Sequence, residues 1–246
     1  MIQLKLEPRP PQLTDQLVNE LTALFKADST QSVWKKDYIE SALRDMSFGK
    51  CCYCECKINE ESKYLEIEHF RCKAHYPDWV LVWDNLLPSC KRCNGTKRDH
   101  DVVKEPMVHP VYNDPRNELT LRAYRFYGKT EMGKTTVRVL DLNNYNRIQI
   151  KRFEVGAKIK DVLESLEEDA QELEALVAAR KRKRIVIQFG NILRQGLPTE
   201  EYAATVATAI LTEEAYRSLR SKIIDWGEWD DDFDDMERQL ETIAFL

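Results

Sequence analysis

The chain has 246 residues, 43% of them apolar and 32% charged, with only eight Gly and nine Pro, a composition that suits a soluble, helix-rich globular protein with a full hydrophobic core. No apolar run approaches the roughly 18 to 20 residues needed to span a bilayer, and the opening MIQLKLEPRPP lacks a signal-peptide pattern, so no membrane contact and a cytoplasmic location are expected. The net charge of −5 hides a basic middle, with ten Lys/Arg against four Asp/Glu from Arg116 to Lys158, and an acidic tail, with eight carboxylates and no Lys/Arg from Asp225 to Glu237; only local charge governs phosphate contact.

In chain order, Leu13, Leu17, Leu21, Leu24 and Phe25 recur at helical spacing, as do Trp34, Tyr38, Ala42 and Met46. Ser32 is the expected N-cap of the second helix. Residues 49–98 are short-range, irregular and cysteine-marked, with a strand-like YLEIEHF from Tyr64 to Phe70. Residues 105–128 read as loop, interrupted by an alternating LTLRAYRFY that suits a strand, and 131–142 fit helix and strand equally. From Ile159 the pattern Val162/Leu163, Leu166, Ala170, Leu173, Val177 predicts one long helix, acidic early and ending in the RKRKR run at 180–184, an order that suits the helix dipole. Shorter helices are expected near 199–210, capped by Thr199, and near 213–224, capped by Thr212.

All seven cysteines, Cys51, Cys52, Cys54, Cys56, Cys72, Cys90 and Cys93, fall within 43 residues. An odd count in a chain expected in the cytosol argues for a metal site over a disulfide framework. Cys51-Cys-Tyr-Cys54 and Cys90-Lys-Arg-Cys93 are two CxxC knuckles. Zinc takes four thiolates at tetrahedral corners, and two such turns close that shell with no open position, so the zinc would be structural. Cys52 and Cys56 leave the register of the first pair less fixed than the second. Cys52, Cys56 and Cys72 are otherwise read as small apolar residues, and His75, His100 and His109 as surface or loop residues.

Between the knuckles lie Glu68-His69 and Asn85, and after them Asn94 and Lys97. The run CxYC…EIEHFRxK…WDNLLPSCxxCNxxK closely resembles the HNH endonuclease motif. That resemblance implies an α+β fold: a small ββα-metal (HNH, His-Me finger) core stapled by the four-cysteine zinc site and embedded in a mainly helical chain. It implies His69 as general base, Glu68 and Asn94 as ligands of a catalytic Mg²⁺ or Mn²⁺, Asn85 as the residue holding the loop and the base, and Lys97 and Arg98 as phosphate contacts. Neighbours on a strand point to opposite faces, so Glu68 and His69 can serve one site only at a strand terminus or bulge.

The wider pattern, with WDNLLPSCKRCN, HPVYNDP and TTVRVLDLNN, is similar to the HNH proteins of Septu and retron anti-phage systems, the PtuB type. This implies a nuclease acting on DNA or RNA beside an ABC/SMC-like ATPase, PtuA. That family's HFRPK reads HFRCK here, which frees the loop after His69. The segments expected are 1–47 (helical), 48–105 (nuclease core), 106–154 (mixed) and 155–246 (helical, acidic tail). The competing reading is a catalytically silent zinc module that only binds nucleic acid or a partner. RKRKR reads equally as a phosphate grip or a solvated helix end. In the tail, Trp226, Trp229 and Phe233 divide between a solvated helix and a docking segment for a basic partner surface.

Overall fold

The computed structural model describes residues 1–58, 64–172 and 178–246, and the chain divides into two compact units, 1–119 with 127–143, and 120–126 with 144–246. The fold is α+β and mainly helical, with two two-stranded sheets among the described residues. No described helix is long and apolar enough to cross a membrane.

The first unit begins with α1 (Asp15–Ala27), capped by Thr14, whose Oγ1 accepts from the Leu17 N–H, and α2 (Asp37–Met46). Ser32 does not cap α2; the helix starts after Lys36 with no side-chain cap, because Ser32 to Lys35 form a separate turn. Trp34 is buried in that turn, and α2 faces the core through Ile39, Leu43 and Met46. Strands β1 (Leu65–His69) and β2 (Leu86–Cys90) pair antiparallel with His69 opposite Leu86, and helix α3 (Lys91–Lys97) follows directly. Helices α2 and α3 both pack on this hairpin. Pro115–Glu118 forms a short helix, α4. The ambiguous stretch after residue 130 is helical: α5 (Glu131–Val139) is capped by Thr130, which accepts from Gly133 N–H, the side-chain cap that strand pairing would leave unused.

The alternating segment forms a second hairpin, β3 (Leu119–Arg122) and β4 (Arg125–Gly128), whose residues 120–126 belong to the second unit. There the Tyr124 ring lies over Gly156, where a Cβ would come within 2.0 Å of it, so only glycine fits.

The second unit holds α6 (Ile150–Gln171), α7 (Ala178–Gln195), α8 (Ala203–Thr212), α9 (Glu214–Asp225) and α10 (Asp231–Ile243). The single long helix expected from Ile159 to 184 is two helices that pack on each other, and RKRKR opens the second of them rather than ending the first. Leu173 and Val177 of that pattern lie outside the described residues. Helix α8 is buried on every side from Ala203 to Ile210, as a helix apolar all round must be. Thr199 and Thr212 cap neither neighbour: α8 starts after Tyr202 in a left-handed conformation, and Thr212 Oγ1 donates back to the Thr208 carbonyl. The acidic tail is α10, capped by Asp230 and buried through Phe233, Met236, Leu240 and Ile243 against α7 and α8. Its aromatics serve this packing. Trp229 stacks on Phe233 with centroids 5.0 Å apart and lies under the Arg220 guanidinium, so these rings are not free anchors for a partner.

Candidate functional site

The first cysteine knuckle is built by backbone geometry. Gly49 and Glu55 take left-handed φ values of 70° and 63°, which fold residues 49–58 back so that Cys51 N–H donates to the Cys56 carbonyl (2.9 Å). Cys52 N–H donates to the Pro88 carbonyl (2.9 Å), lashing the turn to β2. The second knuckle lies where β2 becomes α3, with Cys90 as N-cap of that helix. The Sγ atoms of Cys51, Cys54, Cys90 and Cys93 all lie within 4.8 Å of one another. Cys54 and Cys90 sulfurs are 3.8 Å apart, and a tetrahedral shell with Zn–S near ~2.3 Å has sulfur edges of ~3.8 Å. All four thiols are free, and the set could hold a metal ion such as zinc. Cys56 is not the plain apolar filler its sequence context suggested, because its sulfur sits 3.4 Å from that of Cys54 at the edge of the cluster.

Beside the staple, a cavity of about 210 Å³ is lined by Glu68, His69, Asn94 and Arg98 together with Cys72, Lys73 and Asp99, among others. Strand β1 ends at His69, and at that terminus Glu68 and His69 both reach the cavity despite their alternation. His69 is buried, with Nε2 3.0 Å from the Val80 carbonyl. A carbonyl only accepts, so Nε2 carries the proton and Nδ1 is the free base. Trp34 meets the imidazole edge-on at 4.8 Å. Burial, aided by the Lys73 ammonium, pushes the His69 pKa down to about 3 and holds the ring neutral.

Glu68 is 2% exposed, and its Oε1 lies 2.6 Å from Lys97 Nζ and 3.4 Å from the Tyr53 hydroxyl. Burial raises its pKa, with Lys97 opposing. Lys97 therefore does not face a phosphate as expected. It lies at the end of α3 on the side packed against β1, is itself buried, and also donates to the His69 carbonyl at 3.0 Å. Asn94 Nδ2 donates to Glu66 Oε2 (2.7 Å), which leaves its Oδ1 as an acceptor. Arg98 ends α3 on the cavity rim. Asn85 does not line the cavity. Its amide donates to the Arg71 and Trp79 carbonyls (3.1 and 2.9 Å) and accepts from Arg71 N–H (2.7 Å), fixing the loop that follows His69.

The sequence reading missed Glu66, Trp34, Lys73 and Asp99. Glu66 was within reach, since strand alternation puts it on the face of Glu68; Lys73 closes the HFRCK stretch of the motif but was given no role there, and Trp34 and Asp99 come from turns and carry no local signal. His109, read as a surface or loop residue, is buried between Phe70 and Tyr112.

No protein-family profile matches the chain. It is 41% identical over 233 residues to Septu protein PtuB of Bacillus thuringiensis, covering 93% of this chain and 89% of that one. The chain belongs to the Septu PtuB family. A Septu protein PtuB of Bacillus mycoides (strain KBAB4) is 28% identical over 184 residues, covering 58% of this chain and 62% of its own length. In this PtuB-family chain, the cysteine cluster and the cavity share helix α3, which carries both Cys93 and Asn94, while β2 brings Cys90 to the start of that helix.

Proposed function

We propose that the chain is a metal-dependent HNH endonuclease that hydrolyses phosphodiester bonds of DNA or RNA, the nuclease of an anti-phage defence system controlled by a partner ATPase of the PtuA type. Membership of the Septu PtuB family supports the role in defence. The observation that carries the chemistry is one cavity lined by Glu68, Asn94 and a neutral His69 whose Nε2 is already committed to a carbonyl. His69 Nδ1 is placed to take the proton of an attacking water, the work of a general base. Glu68 and the Asn94 Oδ1 are hard oxygen donors that would hold Mg²⁺ or Mn²⁺, which supplies charge stabilisation at the scissile phosphate and leaving oxygen. Lys97 keeps the buried Glu68 carboxylate oriented, Asn85 positions the loop after the base, and Arg98 offers a cation to a phosphate at the rim. The four-cysteine site holds zinc with no open position, as a staple.

The purified chain, alone and co-expressed with the ATPase, should be incubated with plasmid, linear DNA and total RNA in Mg²⁺ or Mn²⁺. His69→Ala should keep its zinc and lose cleavage by about 10² to 10⁴-fold, the usual worth of a general base. Undiminished cleavage by that variant would remove His69 from the chemistry. Nucleic-acid binding without cleavage under every condition would favour the silent zinc module.

A further inference from the structure

A second cavity, of about 570 Å³, is lined by Phe25, Lys26, Ser29, Lys73, Ala74 and Pro77. It lies in the first unit, between the C-terminal end of α1 and the loop after His69. Its volume falls in the ~300 to 1,000 Å³ span of small-molecule sites. Lys73 and Ala74 also line the cavity that holds Glu68 and His69, so the two spaces meet at those residues. The Lys73 ammonium stands at this junction, 4.8 Å from the centroid of the Trp34 ring that abuts His69.

Among the described residues, no carboxylate lines the second cavity. Lys26 is paired with Asp78 across 2.7 Å, but both side chains are solvent-exposed, and such pairs yield readily to a competing anion. Phe25 and Pro77 supply apolar walls, and Ser29 a hydroxyl. A wall of apolar groups with a cation at its inner mouth fits a nucleobase whose phosphate points toward the neighbouring site.

We infer that this cavity is a nucleoside subsite: it takes the base next to the cut while Lys73 holds the phosphate between base and scissile bond. This rests on the nuclease reading and adds a substrate class to it. A base reaches such a cavity only when it is out of the duplex stack, so the preferred substrate is a single strand, or a duplex unpaired beside the cut.

The test uses the full-length, zinc-loaded chain with its ATPase, and single-stranded oligonucleotides in which one abasic residue is walked through the sequence, in deoxyribose and ribose series. One abasic position adjacent to the cut should lower kcat/KM about tenfold, in line with base-stacking subsites, and pairing that nucleotide in a duplex should lower it similarly. Ser29→Leu, which adds bulk to the second cavity alone, should shrink the abasic penalty below twofold. Whichever series shows the penalty identifies the sugar. A flat abasic profile with vigorous cleavage overturns the subsite and leaves the nuclease reading standing. Binding of AMP and dAMP, followed by isotope-edited NMR of the Ala74 methyl, gives a readout independent of cleavage: binding lost in Ser29→Leu supports the subsite even if the chain cuts nothing, and absence of any binding, with a flat profile or with no cleavage at all, overturns it.

Discussion

Replacing Lys97 with Met tests whether a single buried cation sustains the Glu68 carboxylate. Both side chains are essentially inaccessible, at 0% and 2% exposure, with 2.6 Å between Nζ and Oε1. Met nearly matches Lys in length, so the loss is electrostatic and leaves little cavity. Glu68 then escapes as an uncompensated buried charge by binding a proton. Holding it protonated at pH 7 against the ordinary value of 4.5 costs about 3.4 kcal/mol at about 1.36 kcal/mol per pH unit, a ceiling on the loss relative to wild type because burial already raises the wild-type pKa. That agrees with the ~3 to 5 kcal/mol typical of breaking a buried pair.

The sign follows from linkage. A carboxyl whose folded pKa is raised contributes fully below its unfolded pKa and loses that contribution as pH rises toward the folded value. The penalty of Lys97→Met should therefore be largest near pH 7, under the ceiling of about 3.4 kcal/mol, and shrink as pH falls toward 5.5, above a constant part from the lost hydrogen bond to the His69 carbonyl. Guanidinium unfolding without added Mg²⁺ or Mn²⁺, read by hydrogen exchange in peptides from β1 and β2, isolates the first unit. A penalty below about 1 kcal/mol at pH 7, or one independent of pH, would refute the reasoning, since an orphaned buried charge costs more than that.

Cys90→Ser should lose about one equivalent of zinc per chain and leave the first unit poorly folded, because structural zinc binding is itself folding free energy; mass spectrometry under native conditions reads the metal, and a stable, zinc-free wild type would sink the staple. His109 has its pKa pushed down to about 4 by burial, with Asp84 opposing, and its Nδ1 accepts from the Val111 N–H. The neutral ring thus contributes stability above the ordinary value near 6.5 that is lost as pH falls toward 4, at about 1.4 kcal/mol per unit. NMR should show no His109 titration near pH 6.5, and His109→Gln should flatten the acid dependence of stability. Deleting residues 226–246 removes Phe233, Met236, Leu240 and Ile243 from the second unit's core. At about 1.5 to 3 kcal/mol per buried side chain, this approaches the whole stability of a domain. Amides of α6 to α9 should lose their exchange protection; retained protection would show that α10 is dispensable.

What the sequence by itself determined lies where the information is local. A CxxC turn places two thiols together whatever surrounds it, so the staple was legible from Cys51, Cys54, Cys90 and Cys93. Glu68, His69 and Asn94 were legible through the motif they share with HNH proteins, and the pairing of β1 with β2, continued directly by α3, brings them to one cavity. Helix existence was legible from apolar spacing, but caps were not, because Ser32, Thr199 and Thr212 each offered sound cap chemistry, four, three and one residues before the position where packing started the helix. The break between α6 and α7 escaped because a shared apolar period runs across it. Tertiary structure alone decided the fate of charge and aromatics. Lys97 follows Asn94 by one helical turn, and only the docking of α3 on β1 turns its ammonium inward to Glu68 instead of outward to a phosphate. Trp229 and Phe233 could be read beside so many carboxylates only as part of a solvated helix or a docking segment, and it is α7 and α9 that supply Phe189 and Arg220 to pack against them. A side chain's neighbours across space are fixed by packing of distant segments, which no short window of sequence contains.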